Sequence, residues 1–121
     1  MAVVADRQSL PAVVVALPAE IDTATAARAG EQLGAAVAPG VRTVIADMTA
    51  TTFCDSSGIS MLVRARKQAA ANRTELRLVV PSPAVRRALT LVRMDDLLPV
   101  YPSLSQALAA GPVPAPQPHP E

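Results

Sequence analysis

The residues of this chain best placed to do chemistry are two adjacent serines in the run Phe53-Cys54-Asp55-Ser56-Ser57-Gly58-Ile59. A strand-like run, Thr43 to Met48, precedes them, and a helix-like run, Ile59 to Ala71, follows. The first backbone N–H groups of a helix lack internal partners, and the macrodipole is positive there. A hydroxyl at such a point can sit beside a bound anion, or carry one after phosphorylation. The plain alternative is that Ser56 and Ser57 cap the helix and Asp55 is a first-turn charge. Asp22 also follows a strand and starts a helix, so it belongs near the same end of the fold, as a cap or as a second contact.

Most other chemistry is excluded by what the chain lacks. Its one cysteine, Cys54, allows no internal disulfide and no cysteine-based zinc site. Cys54 reads as a small core residue at a strand end. The one histidine, His119, lies in a proline-rich stretch, where no imidazole is held for a Ser-His-Asp triad. Lys67, the base nearest on the same helix, is about three turns from Ser57. There is no G-x-S-x-G and no Walker-type glycine loop. These readings predict a protein that is not an enzyme and needs no metal or cofactor. The formal net charge of +1, from 11 basic against 10 acidic residues, gives no electrostatic case for nucleic acid. No apolar run reaches the length of a membrane span, and the first residues do not resemble a signal peptide. The expected setting is the cytoplasm, with no membrane insertion.

The elements that must position the serines follow from patterning. With 121 residues, 50% hydrophobic and 2% aromatic, the core is aliphatic and alanine-rich. Val3 to Ala5 reads as an edge strand. Ala12 to Leu17 is a continuous apolar run, the mark of a strand buried on both faces. Asp22 or Thr23 then starts a helix to about Val37, with Ala26, Gly30, Leu33 and Val37 inward, stopped by Pro39-Gly40. After the strand Thr43 to Met48, a helix from about Ser57 buries Ile59, Leu62, Val63, Ala69 and Ala70 and stops at Asn72. Leu76 to Val80 is a strand. Pro81-Ser82-Pro83 opens a short helix with Val85, Ala88, Leu89 and Val92 on one face. Leu97 to Tyr101 reads as an edge strand broken by Pro99, and Ser103 caps a last helix that turns Leu104, Ala107 and Leu108 inward. Strands alternating with helices predict an α/β fold: a mixed, largely parallel sheet of four to five strands with about four helices. Residues 1–110 form the domain, and the proline-rich residues 111–121 form a disordered tail.

In that order of elements, Asp47-Met48 at a strand end followed by Phe53-Cys54-Asp55-Ser56-Ser57-Gly58-Ile59 resembles the STAS domain, and within it the bacterial anti-sigma factor antagonists. Their pattern is an acidic strand end, a spacer, then Phe-x-Asp-Ser-Ser/Thr-Gly-Ile/Leu. Ala19-Glu20-Ile21-Asp22 stands where Gly-Glu-Leu-Asp is typical. The resemblance covers about residues 3 to 110. Ala19 departs from the usual glycine, and Thr51 stands where an apolar residue is common.

The resemblance implies partner switching. The unphosphorylated protein binds an anti-sigma factor that is also a serine kinase, which frees the sigma factor. The kinase phosphorylates the second hydroxyl residue of the motif and is released, and a serine phosphatase resets the switch. By position the acceptor is Ser57, with Ser56 as the alternative. Asp22, Asp55, Ser56, Ser57 and Gly58 are the implied partner-binding residues. The competing implication is a non-switching STAS subunit of a larger signalling or lipid-transport assembly.

Overall fold

The computed structural model describes residues 2–5 and 11–111, so the proline-rich segment from 112 onward, with His119, lies outside it. The strands are β1 (Ala2–Ala5), β2 (Pro11–Ala16), β3 (Glu20–Ile21), β4 (Thr43–Asp47), β5 (Phe53–Cys54), β6 (Glu75–Val79) and β7 (Val100–Tyr101). The helices are α1 (Ala26–Ala36), α2 (Ser56–Ala71), α3 (Pro83–Leu91) and α4 (Leu104–Ala109), with a 3-10 turn at Met94–Asp96. Five strands form one sheet in the order β1-β2-β4-β6-β7. Only β1 runs antiparallel to its neighbour; β2, β4, β6 and β7 are parallel. The fold is therefore the expected α/β one.

The apolar strand runs are buried because both sheet faces are covered. Val13, Val15, Val44, Ala46, Leu76, Leu78 and Val80 pack with α1, α2 and α3 in the main core. The alternate residues Val14, Ile45 and Val79 pack on the other face with Ala107 and the half-buried Tyr101, Leu104 and Leu108. Parallel strands need crossovers, and the helices supply them, so α1, α2 and α3 all begin beyond the C-terminal ends of strands. That geometry gathers Asp22, Asp55 and Ser82 at one end of the sheet.

Several boundaries differ from the periodic reading, each for a local reason. α1 starts at Ala26, because Asp22 first closes a separate turn: its Oδ1 accepts from the N–H groups of Ala24 (2.9 Å) and Thr25 (3.2 Å). Its buried stripe is Ala26, Ala29, Leu33 and Ala36, while Gly30 and Val37 are only half-buried. In α2 the buried residues are Gly58, Met61, Leu62, Ala65 and Ala69, and Ala70 is exposed. Val92 lies just past α3 and is exposed rather than inward. The strand expected over Leu97 to Tyr101 shrinks to Val100–Tyr101, because Leu97 and Leu98 donate to the Met94 carbonyl and close the 3-10 turn. Two short strands, β3 and β5, escape the pattern altogether. Each has two residues, too few for any alternation to register.

Arg77 points out of the middle of β6 onto the α4 face, and it is 5% exposed. Its guanidinium pairs with Glu75 (Nε to Oε1, 3.0 Å; Nη2 to Oε2, 3.2 Å). It also donates to the carbonyls of Ala107, of Ala110 at 3.0 Å and of Gly111 at 3.0 Å. Tyr101 lies under it, with the ring centre 5.9 Å away. The last carbonyls of a helix have no internal donors. Arg77 supplies them for α4, which is only six residues long and marginal by itself.

Arg77→Met would leave those carbonyls and the Glu75 carboxylate unpaired. It is expected to lower unfolding free energy by about 3–5 kcal/mol, as when one partner of a buried ion pair is removed. Urea unfolding followed by circular dichroism tests this, and an unchanged midpoint would refute the clamp.

Candidate functional site

The chain between β4 and α2 is pulled into place by β3 and β5. Thr51 is buried, and its hydroxyl donates to the Pro18 carbonyl at 2.8 Å. This explains how a polar residue occupies a position suited to an apolar one: its hydroxyl is satisfied. Thr52 N–H and Phe53 N–H both donate to the Ala19 carbonyl, at 2.8 and 3.3 Å. β3 and β5 then pair in parallel, Glu20 opposite Phe53 and Ile21 opposite Cys54. Asp55 N–H extends the ladder by one bond, to the Ile21 carbonyl at 3.0 Å. Asp22 and Asp55 thus leave adjacent strand ends, which are about 4.8 Å apart in a sheet.

The N-cap of α2 is Asp55, not a serine. Its backbone is extended, and its Oδ1 accepts from the N–H groups of Ser57 (2.8 Å) and Gly58 (3.3 Å). Ser56 becomes the first helical residue, and both serine hydroxyls are left out of the cap. Ser56 is exposed and Ser57 half-buried. The anion site imagined at a bare helix N-terminus is therefore changed. Two of the first-turn amides are already taken by a carboxylate, and a phosphate on Ser57 would stand beside that carboxylate.

Gly58 is buried where α2 lies on the β3–β5 ribbon. A Cβ there would come within 2.5 Å of Cys54 Sγ and 2.7 Å of Ile21 Cγ2. The glycine is required by contact, not by an unusual φ. Asp22 is held in the same layer by Thr25, whose hydroxyl donates to the Glu20 carbonyl at 2.8 Å and accepts from Asp22 N–H at 3.0 Å. All five residues singled out by sequence, Asp22, Asp55, Ser56, Ser57 and Gly58, thus lie at one edge. Phe53 joins them, half exposed. The pairing with Glu20 that places it there has no sequence signal, although it is the only phenylalanine in the chain.

Cys54 is half-buried, and burial first, then the Asp55 charge, raises its thiol pKa to about 11. It stays protonated near neutral pH, which fits a packing role against Gly58. Among the described residues no group of three His, Cys, Asp or Glu side chains could hold a metal ion. None of their helices is long and apolar enough to cross a membrane. A surface groove of about 530 Å³ lies elsewhere, between α1 and α2, lined by Gly30, Gly34, Met61, Arg64 and Gln68 among others.

Two outcomes are expected from this geometry. Gly58→Ala must displace Cys54 and Ile21, so it should cost about 1–3 kcal/mol of stability. Gly34→Ala, which meets only the flexible end of Gln68, should be neutral or better. Equal urea midpoints for the two variants would contradict the contact argument. Alkylation supplies the second test. With its pKa raised from 9.0 to about 11, Cys54 in the folded protein should react with iodoacetamide at pH 8 roughly 100-fold more slowly than in urea. A similar rate in both states would show that the thiol is not suppressed.

Comparison with known proteins agrees with this architecture. The family model described as the STAS domain matches residues 3–107. No curated protein matches the sequence. Among solved structures, an anti-sigma factor antagonist from Mycobacterium paratuberculosis is 28% identical, with a TM-score of 0.73 over 88% of this chain and 90% of that one. A sulfate transporter family protein from Wolinella succinogenes is 18% identical, with a TM-score of 0.69 over 81% of this chain and 82% of that one. The Bacillus cell fate determinant SpoIIAA in its phosphorylated form is 21% identical, with a TM-score of 0.60 over 88% of this chain and 96% of that one. The last two likenesses concern the fold alone. Family match, sheet order and the strand-to-helix serine motif converge: this chain belongs to the STAS domain family.

Proposed function

We propose that the protein is an anti-sigma factor antagonist, a binding module rather than an enzyme, switched by phosphorylation of Ser57. The observation that carries the reading is the placement of Ser57 in the first turn of α2. There its backbone is fastened by Asp55, at the edge that also presents Asp22 and Phe53. The 28% identity to an anti-sigma factor antagonist supports the partner class. Ser56, exposed and one residue earlier, is the alternative acceptor.

The physics of the switch is local. A phosphoserine adds about −1.5 to −2 charge. The folded domain tolerates it, because the residue sits at a helix N-terminus and is only half-buried. A partner that covers the edge does not. Its interface would have to bury the phosphate next to the Asp55 carboxylate, whose Oδ1 is already committed to two amides. An uncompensated buried charge costs roughly 2–5 kcal/mol in an interface. At about 1.4 kcal/mol per tenfold, that cost lowers affinity by some 30-fold or more. Release then needs no refolding. The partner is an anti-sigma factor with serine kinase activity, and a serine phosphatase resets the site.

The decisive experiment mixes the protein with candidate anti-sigma kinases and ATP and maps the phosphate by mass spectrometry. Phosphate on Ser57, abolished by Ser57→Ala, is the expected outcome; phosphate on Ser56 alone would move the switch by one residue. Ser57→Asp should bind the unmodified protein's partner at least about 30-fold more weakly by calorimetry. Equal affinity would end the charge-switch reading. No phosphorylation by any such kinase, with constant co-purification in one complex, would instead assign the chain to a fixed assembly.

A further inference from the structure

The groove between α1 and α2 starts about one helical turn from the serine edge. On α2 it is lined by Met61, Arg64 and Gln68, among others. They follow Ser57 by four, seven and eleven residues. At about 100° per residue, all four lie on one stripe of the helix. Ser56 is turned about 100° away from Ser57 and off that stripe. On the facing helix, α1 begins just after the Asp22 turn, at the same end of the sheet as the start of α2. The trough, about 530 Å³ in volume, therefore runs down from the edge that carries Asp22 and Ser57.

Its floor is apolar. Ala27, Gly30 and Gly34 bring almost no side chain from α1, and Met61 lies against Gly30. A Cβ on Gly34 would meet only the flexible end of Gln68, and one on Gly30 only Met61 Cγ, at 3.1 Å. Packing therefore does not demand glycine at either position, and glycine is a poor helix former. What the two glycines provide is room above the helix pair. The charged groups stand on the rims. Glu31 on α1 and Arg64 on α2 are both exposed, and neither belongs to an ion pair among the described residues. They do not close the trough, and they give its two walls opposite signs. A small-molecule site converges a few placed polar groups on its ligand. Here Glu31, Arg64 and Gln68 are all exposed, so they border the trough rather than converge within it. An apolar trough with charged rims fits the apolar face of an amphipathic helix.

We propose that this groove is the second half of the anti-sigma factor's docking surface. It takes an amphipathic helix of that factor, with a basic residue beside Glu31 and an acidic one beside Arg64. The inference rests on the antagonist reading, because the occupant is argued from the continuity of the groove with the Ser57 edge. It adds to that reading a reason for Ser57, not Ser56, to be the switch. A helix lying along the stripe covers Ser57, and a phosphate there puts charge at the mouth of an apolar groove. A phosphate on Ser56 stands to one side.

Calorimetry with the anti-sigma factor that the wild-type chain captures, run beside phosphate mapping at Ser57, tests the groove and the switch separately. Ala27→Trp fills the groove and Arg64→Glu reverses one rim, so each should weaken binding about tenfold or more. Arg64→Lys keeps the rim charge and should stay within about threefold of wild type. Ser56→Asp should bind more tightly than Ser57→Asp, and the reverse order would overturn the alignment of the helix with the stripe. Ala27 and Arg64 are exposed, so the variants should keep the wild-type urea midpoint. Binding within about threefold of wild type for both Ala27→Trp and Arg64→Glu would overturn the groove and leave the Ser57 switch standing. Weakened binding in those two variants, with Ser57→Asp binding like wild type, would keep the groove and end the switch. A wild type that captures no anti-sigma factor would overturn both. A wild type that self-associates in sedimentation velocity, and ceases to with Ala27→Trp, would overturn the proposal by giving the groove to a second copy.

Discussion

The short parallel pairing of β3 with β5, prolonged by the bond from Asp55 N–H to the Ile21 carbonyl, is the constraint on which the serine edge depends. It brings a loop after β2 and a loop after β4 together above the sheet. Asp55 is thereby placed where one carboxylate oxygen can hold the Ser57 and Gly58 amides in the first turn of α2. The same pairing sets Ile21 and Cys54 under Gly58, so the helix comes down on a floor that accepts no Cβ. Ribbon, cap and glycine each fix the next.

This arrangement leaves both serines outside the cap of the helix they begin. Capping hydroxyls are ordinarily spent on the helix they begin. Here an aspartate does that work, and the hydroxyls of Ser56 and Ser57 remain outside the cap. A modification at either one would add charge without removing a bond on which the helix depends. The opposite face of the sheet answers to a different device, the buried Arg77, which joins Glu75, Tyr101 and the end of α4 into one cluster.

The large elements were legible because their apolar periods are long. The valine run of β2 could only be a strand covered on both sides, and the 3.6-residue stripes of α1 and α2 could only face a sheet. Errors fell at edges, where periodicity is silent. Ala70 and Val92 belonged to apolar series, but Ala70 sits in the last turn of α2 turned away from the buried Ala69, and Val92 lies just past α3. Leu97 and Leu98 read as strand because they are apolar, yet hydrogen bonds to Met94 decided their conformation. Arg77 interrupts an otherwise apolar strand, and nothing local reveals that carbonyls some 30 residues away will receive it.

The sequence by itself determined the alternation of strands and helices, the aliphatic core, and the position of the Ser-Ser-Gly run between a strand and a helix. These follow from local preference and periodic burial, which act within a few residues. Only the tertiary structure decided that Asp55 is the cap, that Gly58 is required by contact with Cys54 and Ile21, and that Asp22 and Phe53 share the serines' edge. Those outcomes depend on two-residue strands pairing across more than thirty positions. Such a pairing has no period to display. It is held by backbone N–H and C=O groups that need partners.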